Sequence, residues 1–133
     1  MIKDPVTIDI AEPFSRVWDI FRMKKIRHLP VINNKRELRG IITQRDLYRT
    51  VSPRKKVEEE GLFYRKEDLD QFLLSRVMTE NPTTLSQDQT LGHAIDMMVN
   101  KRYGCIPIVD NDKKLLGILT QIDLLRAVAT YFI

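Results

Sequence analysis

The sequence predicts an α/β fold of the α+β kind, made of two copies of a strand–helix–strand–strand–helix unit related by a pseudo-two-fold axis. Three observations predict it. The stretch Gly40-Ile41-Ile42-Thr43-Gln44-Arg45-Asp46-Leu47 returns 77 residues later as Gly117-Ile118-Leu119-Thr120-Gln121-Ile122-Asp123-Leu124. That register holds without a gap: Pro5 falls on Pro82, Thr7 on Thr84, Asp19 on Asp96, Pro30 on Pro107, Leu38 on Leu115 and Arg49 on Arg126. Within each copy the apolar residues switch from helical spacing to short continuous runs and back, the change of period that marks strands between helices. A long period present only twice is not a solenoid. Each half is too small to bury a good core alone, so the halves are expected to share one.

The elements follow in order. Pro5 excludes an early helix, and Val6-Thr7-Ile8 favours a short strand. Pro13 suits a first helical turn. Phe14, Val17, Trp18 and Phe21 then mark one apolar helix face, matched by Leu91, Ala94, Ile95 and Met98. Such a stripe is read as core. Leu29-Pro30-Val31-Ile32 and Ile106-Pro107-Ile108-Val109 fit buried strands with Pro near the strand start. Asn33-Asn34-Lys35 and Asp110-Asn111-Asp112 supply turns into partner strands, 38–42 and 115–119. Each partner strand runs into Thr-x-x-Asp and a new apolar-periodic run, a strand feeding a helix. The expected organisation is a first motif over 1–52, a charged linker over 53–68, and a second motif over 69–133. The second motif is led by a helix spaced on Leu69, Phe72, Leu73 and Val77.

Composition narrows the function. One domain of ordinary size accommodates 133 residues with 43% hydrophobic and 30% charged content. No apolar run reaches the roughly 20 residues of a membrane span, and no secretory pattern opens the chain. The single Cys105 cannot form an internal disulfide, so a reducing cytoplasm is the expected setting and a small buried hydrophobe the expected role. The net charge is +4, and Arg54-Lys55-Lys56 is followed by Glu58-Glu59-Glu60, so no nucleic-acid stripe is evident. Zinc-ligand spacing, a serine nucleophile elbow and a phosphate-cradling glycine loop are all missing, and no catalytic constellation argues for an enzyme.

Thr43 with Asp46, and Thr120 with Asp123, carry two readings. Thr-x-x-Asp is close to a capping box, with Asp in place of Glu or Gln. A helix N-terminus with a carboxylate beside it also suits a hydroxyl-rich or anionic ligand. Two copies in one context weigh toward the ligand.

Gly-apolar-x-Thr-x-x-Asp after an apolar-Pro-apolar-apolar strand resembles the CBS motif, and two in tandem resemble a CBS pair, or Bateman module, over nearly the whole chain. The segments Ile26-Arg27-His28-Leu29-Pro30-Val31 and Gly104-Cys105-Ile106-Pro107 are similar to those of acetoin-utilisation-type proteins. Proteins of that type usually continue into an ACT domain, so an output domain outside this sequence is an implied partner. The resemblance implies two βαββα motifs, a homodimer, and a regulatory adenine nucleotide: AMP, ADP or ATP, ahead of S-adenosylmethionine. It implies ribose-binding roles for Asp46 and Asp123, with Thr43 and Thr120 on ribose or phosphate. It also implies adenine framing by Thr7-Ile8 with Leu29-Pro30, and by Thr84-Leu85 with Ile106-Pro107. As apolar strand residues these serve equally well as core. Arg27 and His28, facing Gly104 and Cys105 in the repeat, are implied phosphate contacts. The alternative for them is a surface Arg and a half-buried His. As a phosphate contact, His28 would lose charge between about pH 6 and pH 8. Lys24, Lys25, Lys101 and Arg102 are read as helix-end cations. The competing function is a ligand-free dimerisation module.

Overall fold

A computed structural model describes residues 2–51 and 66–132. The expected linker, 53–68, falls mostly outside them. The described elements are β1 (Ile2–Lys3), β2 (Ile8–Asp9), α1 (Phe14–Met23), β3 (His28–Ile32), β4 (Leu38–Thr43) and α2 (Gln44–Val51). They continue with α3 (Lys66–Leu69), α4 (Leu74–Val77), β5 (Thr79–Glu80), α5 (Leu91–Lys101), β6 (Cys105–Val109), β7 (Leu115–Thr120) and α6 (Gln121–Ala129). Residues 66–68 are therefore already helical. The helix expected over 69–77 is instead two single turns, α3 and α4. Between them the Asp70 carboxylate accepts the Ser15 N–H at 3.0 Å. It thereby caps α1, whose own N-cap, Pro13, offers no side-chain acceptor.

The repeat is visible bond for bond. β3 and β4 form an antiparallel hairpin with Pro30 opposite Ile41, and β6 and β7 form its copy with Pro107 opposite Ile118. Both ladders slip by one residue at the same place, between Val31 and Ile32 and between Ile108 and Val109. The turns match too. Asn33 Oδ1 accepts from the Lys35 and Glu37 amides, and Asp110 Oδ1 accepts from those of Asp112 and Lys114. These side-chain bonds replace the ladder bonds that the turn must break. Ile8 pairs in parallel with Val31, and Leu85 forms the equivalent bridge to Ile108.

The leading strands cross between halves, which no periodicity announced. β1 pairs with β7 of the second half, Lys3 opposite Gly117, and β5 pairs with β4 of the first half, Glu80 opposite Gly40. The result is two sheets, ordered β1-β7-β6 and β2-β3-β4-β5. Asp4 and Asn81, with φ of 48° and 45°, turn the chain back after each crossing. Asp and Asn are the non-glycine residues that tolerate this left-handed conformation best. A second seam joins the hairpin turns: Leu38 N–H donates to Lys113 at 2.9 Å and Leu115 N–H to Arg36 at 3.1 Å.

The core differs from the expectation of one shared interior. Buried side chains form two clusters. One lies under α1 around Phe14, Val17, Leu29 and Ile42 and takes in Leu69, Leu74 and Met78; the other lies under α5 around Ala94, Met98, Ile106 and Leu119. The halves are joined by exchanged backbone pairing and by the segment that leads the second motif, whose Leu69, Leu74 and Met78 pack into the first cluster. Phe14 is fully buried and meets Phe72 edge-on at 5.4 Å, a geometry worth about 0.5–1.5 kcal/mol beyond burial. The α5 stripe is weaker than its α1 counterpart, since Leu91 is 38% exposed.

Candidate functional site

Both Thr-x-x-Asp turns are capping boxes. The Thr43 N–H donates to Asp46 Oδ2 at 2.9 Å, and the Asp46 N–H returns to Thr43 Oγ1 at 3.2 Å. The Thr120 N–H and Asp123 N–H make the same pair at 2.9 and 3.2 Å. Asp stands where the box usually has Glu or Gln, and its Oδ2 reaches the N-cap amide in both copies. In each carboxylate one oxygen, Oδ1, has no partner among the described residues and stays able to accept. The hydroxyls differ. Thr120 Oγ1 donates to Asp123 Oδ2 at 2.9 Å, whereas the Thr43 hydroxyl has no acceptor among the described residues.

The two turns open into one cavity of about 1490 Å³ astride the pseudo-two-fold axis. Its lining comes in repeat-related pairs: Pro5 with Pro82, Ile41 with Ile118, Thr43 with Thr120, and Gln44 with Gln121. Ile41 and Ile118 form an apolar floor. Thr83 and Tyr103 hydroxyls lie 2.9 Å apart where the first half has Val6 and Ile26.

Of the residues singled out in the sequence, Arg27, His28, Thr43 and Thr120 line this cavity, with Asp46 and Asp123 bonded to its two threonines. Ile8, Pro30, Leu85, Ile106 and Pro107 are buried in the sheets behind it, and Thr7 and Thr84 are half-buried outside the lining. The lining is made instead by their neighbours, Pro5-Val6 and Pro82-Thr83. Sequence reasoning missed Arg45, Tyr48 and Arg49 on α2, and treated Lys25 and Arg102 as mere helix-end charges. All five face the cavity. Part of the signal was present, because i, i+4 spacing puts Arg45 and Arg49 together on one face of α2.

His28 packs against the second half: a Cβ on Gly104 would lie 3.4 Å from its Cε1. Burial, and then the neighbouring Arg27 charge, hold its pKa below the usual 6.5. The imidazole is accordingly neutral at neutral pH. The same two causes move its change of charge to lower pH than that of an unperturbed imidazole. Its Nδ1 is buried without a partner among the described residues. Burial, and secondarily Asp123, push the Cys105 thiol up to about 12. No group of metal-ligating side chains occurs among the described residues, and no helix among them is long and apolar enough to cross a membrane.

The CBS domain family profile matches residues 1–53 and 74–130. This chain belongs to the CBS domain family, as a tandem pair. The pair is 32% identical over 126 residues to a CBS domain-containing protein of Dictyostelium discoideum, covering 94% of this chain and 85% of that protein. It is 29% identical over 126 residues to the inosine-5'-monophosphate dehydrogenase of Methanocaldococcus jannaschii, covering 95% of this chain but 22% of the enzyme. The chain thus spans less than a quarter of that relative's length. Among solved structures, CBSX2 in complex with AMP superposes with a TM-score of 0.82 at 21% identity, covering 100% of this chain and 95% of that one. The CBS pair of MJ0100, in complex with 5'-methylthioadenosine and S-adenosyl-L-methionine, gives 0.73 at 25%, covering 97% and 91%. An AcuB-type acetoin utilisation protein from Vibrio cholerae gives 0.78 at 22%, covering 99% and 88%.

Proposed function

We propose that this CBS pair is a regulatory module that binds an adenosine-containing nucleotide in its central cavity and acts by conformational coupling, without catalysing a reaction. The observation that carries the reading is the pair of Asp46 and Asp123 carboxylates. Each is held by its capping box against a threonine that lines the shared cavity, and each has one oxygen without a partner among the described residues. A fixed carboxylate accepts well from the vicinal hydroxyls of a ribose. The apolar floor of Ile41 and Ile118 suits a purine. The AMP bound by CBSX2 and the adenosyl ligands bound by MJ0100 support the same ligand class.

The cavity lining contains five cationic residues and the single carboxylate Asp4, which lies 3.5 Å from Arg36. That excess favours AMP, ADP or ATP over S-adenosylmethionine, whose sulfonium is itself a cation. Coupling requires different affinities in two states of the protein, so an output domain or partner beyond these residues would read the change. A reducing cytoplasm remains the setting that fits Cys105.

A second reading rests on the outer faces of α5 and α6. Leu125 is 68% exposed, Tyr131 80% and Phe132 84%, with Val99 also exposed. A second copy of the chain packed across a two-fold axis would cover them. This homodimer is compatible with nucleotide binding. If no ligand binds, the dimer would be the function and the capping boxes purely structural.

A thermal-shift panel of AMP, ADP, ATP, adenosine, S-adenosylmethionine and 5'-methylthioadenosine tests the proposal. At about 100 times its dissociation constant a ligand adds about 2.7 kcal/mol. That corresponds to several degrees, at roughly 2–8 °C per kcal/mol. The absence of a shift with every adenosyl compound at millimolar concentration would leave the dimerisation module, which light scattering checks separately.

A further inference from the structure

The cavity is symmetric in backbone and lopsided in charge. Lys25, Arg27, Arg45 and Arg49 all come from the first half. At the repeat-related positions the second half has Arg102, Gly104, Ile122 and Arg126, of which only Arg102 is a lining cation. The four first-half cations belong to adjoining segments, because the Gln44 N–H at the start of α2 donates to the Arg27 carbonyl at 3.0 Å. No ion pair engages any of them among the described residues. The same wall holds the Thr43 hydroxyl, free to donate, while the Thr120 hydroxyl is committed to Asp123.

Resting on the nucleotide reading above, we infer that the cavity is one-sided. Its first-half wall seats the phosphate chain of a single di- or triphosphate nucleotide through Lys25, Arg27, Arg45 and Arg49. Its second-half wall takes an adenosyl ligand without a phosphate chain. Clustered unpaired cations repel one another and gain most from a polyanion, each guanidinium contributing charge-assisted bonds to phosphate oxygens. On the opposite wall Ile122 and Gly104 offer no such donors, and Arg102 alone balances at most one phosphate charge. His28, neutral and set between the walls against Gly104, separates the two environments without adding charge to either. Arg45 and Arg49, one turn apart on the exposed face of α2, determine the phosphate preference. Arg27 holds the phosphates nearest the strand end.

Calorimetry on the full chain with ATP, adenosine and inorganic tripolyphosphate tests this. The parent is expected to bind one ATP per chain tightly. Arg45→Ile and Arg27→Ala, both at exposed positions, are each expected to weaken ATP and tripolyphosphate roughly 10-fold or more while adenosine stays within about twofold. Ile122→Arg, which copies the first-half residue into the second half, is expected to add a second phosphate-dependent site. Equal losses for ATP and adenosine overturn the inference, as do two equivalent ATP sites indifferent to Arg45→Ile. The two levels of argument separate cleanly. Tripolyphosphate binding that is lost in Arg45→Ile, with no adenosyl compound bound, sinks the nucleotide reading and keeps the charged wall. Adenosine binding with no preference for ATP keeps the nucleotide reading and sinks the charged wall.

Discussion

Gly40→Ala strikes the place where the two halves are stitched together. A Cβ at Gly40 would lie 2.5 Å from Met78 Sδ and 2.7 Å from the Thr79 carbonyl oxygen. The thioether can rotate away, but the carbonyl belongs to β5 and is held by the pairing of Ile41 with Thr79 and Gly40 with Glu80. Overpacking of this kind costs about 1–3 kcal/mol. Releasing part of the β5 ladder adds roughly 1 kcal/mol per bond lost. The reduced freedom of the unfolded chain offsets about 0.4–1 kcal/mol. The net expectation is a loss of about 1–3 kcal/mol, read by urea denaturation. Gly92→Ala is the control. Gly92 lies in α5 with nothing within 4 Å of the added carbon, so the same substitution should stabilise by up to about 1 kcal/mol. A Gly40→Ala protein within about 0.5 kcal/mol of the parent would refute the close approach of β5.

Asp46→Asn and Asp123→Asn retain a capping oxygen, so stability should change little. Adenosyl affinity at the affected turn should fall about 10- to 100-fold by calorimetry, and unchanged binding in both variants would remove the ribose role. For His28, the folded pKa lies below the unfolded value of 6.5, so the unfolded chain binds the extra proton first. The His28 contribution is therefore intact above about pH 6.5 and is lost as pH falls through the depressed folded value. A His28→Gln protein should lack that part of the acid slope in pH-dependent denaturation, and an identical slope would argue against it. With its thiol near 12, Cys105 should alkylate at pH 8 on the order of a thousandfold slower than a free thiol. Labelling at the free-thiol rate would mean that the strand start is open.

Much of this architecture was legible because it is repetitive. The β3–β4 and β6–β7 hairpins, their Asn and Asp turns, and the α1 apolar face follow from spacing alone, and the 77-residue register carried each assignment from one half to the other. The leading strands were not legible. Two residues such as Ile2–Lys3 or Thr79–Glu80 carry no periodicity, and their partners are chosen by the other half. The run 69–77 was misread for a similar reason. Its apolar residues are spaced like a helix, but Asp70 is drawn off to cap α1. At the site, Thr43, Asp46, Thr120 and Asp123 could be placed because a strand-to-helix turn is a local event. Whether Ile8 or its neighbour Val6 meets the cavity is decided by where a chain that has just crossed between sheets comes to rest.

The exchange of β1 and β5 also bears on how such a chain assembles. Neither half holds a finished sheet, since each edge next to β4 or β7 is closed by a strand that belongs to the other. A single half, made separately, would present that edge as an open template and complete it with the leading strand of any second copy. The intramolecular arrangement then has the geometry of a reciprocal swap between two such copies, joined end to end. Fragments 1–65 and 66–133, expressed apart, should therefore find each other and rebuild the seam. In the joined chain, loss of either half's sheet should unravel its neighbour in the same step.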